Sequence, residues 1–235
     1  MNRFYIDKEL CVGELLTLTE TVFHHWCRVL RAKLHEQAIF FNGLGGEYTV
    51  ELIQIEKKSA TVQILSFFPD DRTLAFQVTL GQVMSKGDRM DYAIQKATEL
   101  GVHQIQLLTS ERCEMRLKYE RDQKKIEHWQ AVAIAACEQC GMNRIPQILP
   151  PRSLEQWTQE CQASLKLVMT LTKQEPIIPQ PRPAQIAVLV GPEGGLTQQE
   201  ITHAQENGFQ AWTIGSRVLR TETAPIVALT LLAAI

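Results

Sequence analysis

Several things are missing from this 235-residue chain. No apolar run approaches the roughly eighteen residues that a membrane-crossing helix needs, and the opening MNRFYIDKEL has no apolar signal core. A cytoplasmic protein with no membrane partner is expected. An excess of basic residues is missing too: the formal net charge is -2, so any RNA contact must come from a local patch. Composition is otherwise ordinary for a globular protein, with 45% apolar and 21% charged residues, and the length suits one large domain or two smaller ones. The six cysteines (Cys11, Cys27, Cys113, Cys137, Cys140 and Cys161) read as free thiols in a reducing compartment. Cys137 and Cys140 alone have metal or redox spacing. No second such pair and no HxxxH follows, and the two lie in a helical pattern, so packing is their plain role and no metal is expected.

What is present concentrates in the last fifty residues, where two short apolar runs each break into a loop of unusual composition. IAVLV (186–190) reads as a buried strand because it is short and ends abruptly in Gly-Pro. The glycines in GPEGG (191–195) leave main-chain amides without a covering Cβ, so a flat or polar ligand can approach closely. Thr197 caps a following helix, with Glu200 completing a capping box. An unliganded strand-to-helix turn accounts for that loop equally well. A phosphate loop does not, since no Lys-Ser or Lys-Thr follows the glycines. The second run, WTIG (212–215), leads into SRVLRTETAP (216–225). Thr223 as N-cap and Pro225 in the first turn put an arginine, a glutamate and two threonines at a helix N-terminus. Two strand-end loops of one α/β sheet open on one crevice, where such sheets bind ligands.

The first seventy residues read as β-rich. AIFF (38–41) and EYTVELIQI (47–55) flank a glycine-rich hairpin turn; Tyr48, Val50 and Leu52 alternate inward, and the phase slips at Ile53 and Ile55, which suggests a bulge or a strand shared between two faces. Residues 59–67 supply another strand, and the polar break at 69–72 sets the expected boundary between domains 1–71 and 72–235. Arg28 and Arg31 would share a helix face at their spacing, which by itself suggests no more than a solvated surface. The α/β pattern then begins. Strands are expected at 74–83, 103–110 and, as the third, 165–171; a helix capped by Asp88 should end at Gly101, and another should run from Asp122 to Gly141. Residues 176–183 read as an extended proline-rich connector.

GPEGGLTQQEI (191–201) together with GSRVLRTETA (215–224) closely resembles the paired C-terminal motifs of the bacterial 16S rRNA uracil-N3 methyltransferases, RsmE-type members of the SPOUT superfamily. KGDRMDYAIQKATELGV (86–102), SERCE (110–114), ACEQCGMNRIP (136–146) and HHWCRVLRAKLHE (24–36) extend the likeness over nearly the whole chain. The resemblance implies an N-terminal PUA-like RNA-binding β-barrel and a C-terminal α/β domain tied in a deep trefoil knot. It also implies a homodimer, S-adenosylmethionine as methyl donor, and N3 of a specific uridine in the 16S rRNA of the small ribosomal subunit as acceptor. Adenine needs apolar walls and a few main-chain hydrogen bonds, which Leu171, Val190, Gly191, Gly195, Ile214 and Leu219 supply in this reading. Pro192, Glu193, Gly194, Gly215, Arg220, Thr221, Thr223 and Ala224 complete the expected cofactor-binding set. Uridine N3 is a weak nucleophile while protonated, so a base or an anion-stabilising cation helps. Glu222 is the candidate base and Arg220 the candidate stabiliser, the alternative being that Glu222 only pairs with Arg220. Arg3, Arg28, Arg31 and Lys33 in the first domain, and Lys86, Arg89, Arg112 and Arg116 in the second, are expected to hold RNA phosphates. Arg112 has the alternative of pairing with Glu111 or Glu114. The apolar tail from Ala228 is either a dimer contact or core. A SPOUT enzyme acting on ribose 2′-OH or tRNA, and an rRNA-binding assembly factor without catalysis, are the competing functions.

Overall fold

The computed structural model describes residues 1–115, 119–172 and 175–234, apart from the side chains of 119–122; Arg116 therefore lies outside the described residues. Two compact units result, residues 1–73 with 137–145, and residues 74–136 with 146–235.

In the first unit β1 (Asn2–Tyr5), β2 (Leu15–Thr17), β3 (Gln37–Phe41), β4 (Glu47–Ile55) and β5 (Ala60–Phe68) form one sheet in the order β1-β3-β4-β5-β2. The predicted hairpin is β3 against β4, antiparallel, and the expected phase slip is a register shift between Leu52 and Gln54. β1 and β2 stand at the two ends of the order, so hydrogen bonding among the described strands does not close the barrel that the resemblance implies. Phe4, Trp26 and Phe40 form the aromatic centre of this core, with ring centroids 5.4 to 6.1 Å apart. The first helix, α1 (Glu20–Phe23), is capped by the Thr19 hydroxyl and runs on as a π-helical turn, His24–Val29. That wider turn buries Trp26 completely, and Arg31 follows it at φ 55. Arg28 and Arg31 consequently do not share a helix face as expected: the helix stops between them, and Arg31 takes the left-handed conformation of a turn.

Arg3 also departs from expectation. Its guanidinium donates to Glu47 Oε2 (2.5 Å) and Asn143 Oδ1 (2.5 Å), and its side chain is only 12% exposed. Glu47 additionally accepts from Arg72 (3.0 Å) and Asn143 (3.2 Å), while the Gly141 carbonyl, just past the end of the third helix, accepts from Arg72 (2.6 Å) and Arg3 (3.3 Å). Two cations at a helix C-terminus complement its dipole. Arg3 thus binds its own fold together. Cys137 is fully buried in the same unit, and burial pushes its thiol up to about 12, which makes it a packing residue; no metal-binding group of side chains occurs among the described residues.

The second unit is a parallel sheet of β6 (Gln77–Val83), β7 (Gln104–Thr109), β8 (Gln147–Ser153), β9 (Leu165–Met169), β10 (Gln185–Val190) and β11 (Gln210–Trp212), in the order β11-β9-β10-β6-β7-β8. Helix α2 (Asp88–Glu99) follows β6. Asp88 is its first residue, not its cap; Gly87 stands at the cap position with φ 66, and Gly101 ends the helix at φ 82 as expected. Helix α3 (Tyr119–Cys140) starts three residues ahead of the predicted Asp122. Its Trp129 Nε1 donates to Asp91 of α2 at 3.0 Å. One strand and one helix were not anticipated, β8 and the following α4 (Leu154–Glu160), so the strand at 165–169 is the fourth of the sheet and not the third. β8 contains Pro150 and Pro151 and is an edge strand, where a missing amide leaves no internal ladder bond unmade. α4 lays Trp157 over Gly81, where a Cβ would come within 2.4 Å of the indole. The remaining helices are α5 (Gln198–Glu206) and α6 (Ala224–Ala234). Ala228, Leu229 and Leu232 of α6 are fully buried in the core, while Thr230, Ala233 and Ala234 of the same tail are exposed. Among the described residues no helix is long and apolar enough to cross a membrane.

Burial alone would raise the Glu47 carboxyl, but hydrogen bonds from Arg72, Arg3 and Asn143 outweigh it and hold the group below its ordinary value. A carboxyl depressed in the folded state stabilises the fold above the ordinary carboxylate value, and that contribution is lost as pH falls through the folded value. Glu47→Gln is expected to destabilise the protein by about 2 kcal/mol at neutral pH. The gap to wild type should shrink as the pH drops below 4.5, which chemical denaturation at stepped pH will measure.

Candidate active site

β10 lies between β9 and β6, and every residue from Ile186 to Val190 is buried. Successive strands of this sheet run outward from β6 to β8 on one side and then resume beyond β10 on the other, which makes the β6/β10 pair the switch point. Ligands of open parallel sheets bind at the carboxyl ends of such a pair. Gly191 leaves β10 at that place. A Cβ there would meet Leu196 at 2.9 Å, whereas Gly195 (φ 68) and Gly215 (φ 70) face open space, so main chain at both turns is accessible to a ligand. Thr197 caps α5 with the predicted capping box, and Glu200 also accepts from the Glu111 amide at 2.8 Å.

The second loop, from Thr213 to Thr223, is fastened to the first. Thr221 Oγ1 donates to the Gly191 carbonyl at 2.7 Å and accepts from Gln82 Nε2 at 3.1 Å. Gln82 is the partner of Val190 in the β6/β10 register and is buried. Nothing in the sequence singled it out: its one trace is an amide inside an otherwise apolar strand end. The relay therefore brings together Val190, Gly191 and Thr221 as expected. Ile214 and Leu219 are half-buried against the core beneath, while Leu171 is 62% exposed. Thr223 immediately precedes α6, and the amides of Thr223 and Ala224 both donate to the Arg220 carbonyl at 2.9 Å, which folds the loop tightly onto the helix start.

Charge around the loops is arranged in a way that sequence spacing did not show. Arg89 donates to Glu193 at 2.7 Å, and Arg112 donates to the Gly194 carbonyl at 2.9 Å, so both cations hold the glycine loop. Neither of the two alternatives for Arg112, RNA phosphate or an adjacent glutamate, describes this contact. Glu114 pairs instead with Lys86 at 2.8 Å. The hydrogen bond that Arg89 donates to Glu193 holds its guanidinium more firmly protonated, and the Lys86–Glu114 bond raises the ammonium and lowers the carboxyl. Arg220 is different. Its side chain is 80% exposed, and its approach to Glu222 is a loose 3.9 Å. Glu222 is 14% exposed; its Oε2 and Gln82 Oε1 are both buried acceptors without a partner among the described residues. Buried acceptors left unpaired are unusual, and each calls for an explanation.

The chain is an RNA methyltransferase by family: the RNA methyltransferase domain matches residues 72–233, which hold this sheet and its two hydrogen-bonded loops, and the RNA methyltransferase PUA domain matches residues 18–65. Ribosomal RNA small subunit methyltransferase E of Buchnera aphidicola is 33% identical over 98% of this chain and 94% of its own, and that of Bacillus subtilis 28% identical over 97% and 94%. The crystal structure of a ribosomal RNA small subunit methyltransferase E from Neisseria gonorrhoeae bound to S-adenosyl methionine is 38% identical, with a TM-score of 0.92, covering 99% of this chain and 96% of that one. The chain belongs to the ribosomal RNA small subunit methyltransferase E family.

Removing the Thr197 cap is expected to lower stability by about 1 kcal/mol. Urea denaturation of Thr197→Ala against wild type checks it, with the Thr197→Ser variant expected to restore most of the loss.

Proposed function

We propose that the protein methylates N3 of a specific uridine in 16S rRNA with S-adenosylmethionine as donor. The observation that carries the reading is the Thr221–Gly191 bond, which closes two main-chain turns over one crevice at the β6/β10 switch point. The residues there fit the donor. Gly195 and Gly215 expose main chain, Val190, Ile214 and Leu219 are apolar, and two buried acceptors await N–H groups. When bound, the donor supplies a sulfonium-activated methyl group, so neither a metal nor a covalent nucleophile is required.

What remains for the protein is alignment and the N3 proton. Glu222, with one oxygen unpartnered, is the base that takes that proton; Arg220, exposed and only loosely paired, turns to stabilise the uracil anion. Arg89 and Arg112 hold the glycine loop in shape and meet RNA only at its margin. In the first unit Arg28, Arg31 and Lys33 are exposed and grip phosphates of the rRNA, leaving Arg3 to its structural bonds. We read the loop of 213–223 as passing through the chain in the deep trefoil knot of the SPOUT superfamily; the placement of β10 between β9 and β6, with Thr221 reaching back to Gly191, supports this. A cytoplasmic homodimer is also part of the proposal, with the half-exposed Ile226, Val227 and Leu231 of α6 as contact.

Arg220→Ala is expected to melt like wild type but to lose methylation of small-subunit rRNA by at least about a hundredfold. Primer extension on the treated rRNA reads the product, because an N3-methyl group blocks base pairing and stops the polymerase. Near-normal activity of the variant would remove Arg220 from the mechanism. A wild-type product on ribose or tRNA would replace the uridine reading.

A further inference from the structure

Gln82 is 1% exposed and lies at the carboxyl end of β6, level with Val190. Its orientation is fixed by chemistry. Nε2 donates to the Val83 carbonyl (3.0 Å), which can only accept, and to Thr221 Oγ1 (3.1 Å), whose single hydrogen is already given to Gly191. Turning the amide over would set oxygen against oxygen at both contacts. Oε1 is therefore held in one direction, buried, with no partner among the described residues. Leaving such an acceptor unpaired costs more than a typical hydrogen bond contributes, so it calls for an explanation, and at a ligand crevice a bound donor supplies one. Its position at the switch point, bonded to the residue that joins the two loops, places it at the methyl-donor crevice.

We propose that the Gln82 carbonyl oxygen is a ligand-binding group that accepts a hydrogen bond from an amino group of bound S-adenosylmethionine. This rests on the proposed function above. It makes Gln82 responsible for two things at once: fixing Thr221, and recognising an N–H of the donor. The two amino groups of that molecule, on adenine and on the methionyl part, share the same chemistry and are separated by the probe.

The test is calorimetric titration of S-adenosylmethionine and of 5′-methylthioadenosine, which lacks the methionyl amino group, into wild type, Gln82→Met, Thr221→Val and the double variant. Gln82→Met is expected to weaken S-adenosylmethionine binding by about tenfold or more, to exceed the loss in Thr221→Val, and to show a further loss when added to it. An equal loss for both probes assigns the adenine amine; a loss for S-adenosylmethionine alone assigns the methionyl ammonium. If Gln82→Met binds as wild type does, or the double variant is no weaker than Thr221→Val, Gln82 acts only through Thr221 and the inference falls. Should Gln82→Met fail to fold, Gln82→Asn keeps a buried amide but withdraws the carbonyl, and the same loss is expected. Wild type that bound neither probe would overturn the donor reading itself, a result distinct from failure at Gln82.

Discussion

One hydroxyl group fixes the relation between the two loops. Thr221 gives its hydrogen to the carbonyl that leaves β10 and receives one from an amide on β6, so a loop that begins after the edge strand β11 is tied to the centre of the sheet. β10 and β11 are not neighbours; β9 lies between them. Without that tie, the glycine turn and the arginine-bearing turn would be separate features of one surface. With it, they are held side by side, and in the proposed function the glycines without a Cβ in the way let a ligand touch main chain at both.

Charge follows from the same geometry. A loop rich in glycine has little side-chain packing to hold its shape, and here three groups replace that packing: Arg89 on Glu193, Arg112 on the Gly194 carbonyl, and Glu200 on the Glu111 and Thr197 amides. Pairs as exposed as Arg89–Glu193 contribute little to global stability. Their effect is local, on the conformation of a few residues. Arg220 carries the opposite condition, a cation with no close partner beside a carboxylate with one orphaned oxygen. Cations already committed to the loop serve its shape, and in the proposed mechanism the uncommitted one serves the reaction.

The sequence revealed those parts whose composition breaks a pattern. The apolar run before Gly191, the capping box of Thr197 and Glu200, the hairpin around residues 42–46 and the glycine stops at Gly101 and Gly141 all depend on neighbours within a few positions, and all occur where expected. What depended on tertiary context was hidden. β8 contains two prolines that only an edge position tolerates; the π-helical turn that separates Arg28 from Arg31 serves the burial of Trp26; Arg3 is drawn into a carboxylate more than forty residues away. Gln82 was missed because a single glutamine in a strand has no periodic signature, and its partner Thr221 is far along the chain.

The central claim is that both loops bind one ligand together. Hydrogen–deuterium exchange with and without S-adenosylmethionine tests it directly, since amides of 191–197 and 213–224 report each wall separately. The account predicts that saturating donor slows exchange in both segments over the same concentration range. Slowing in one segment alone, or only in segments outside this crevice, would contradict it.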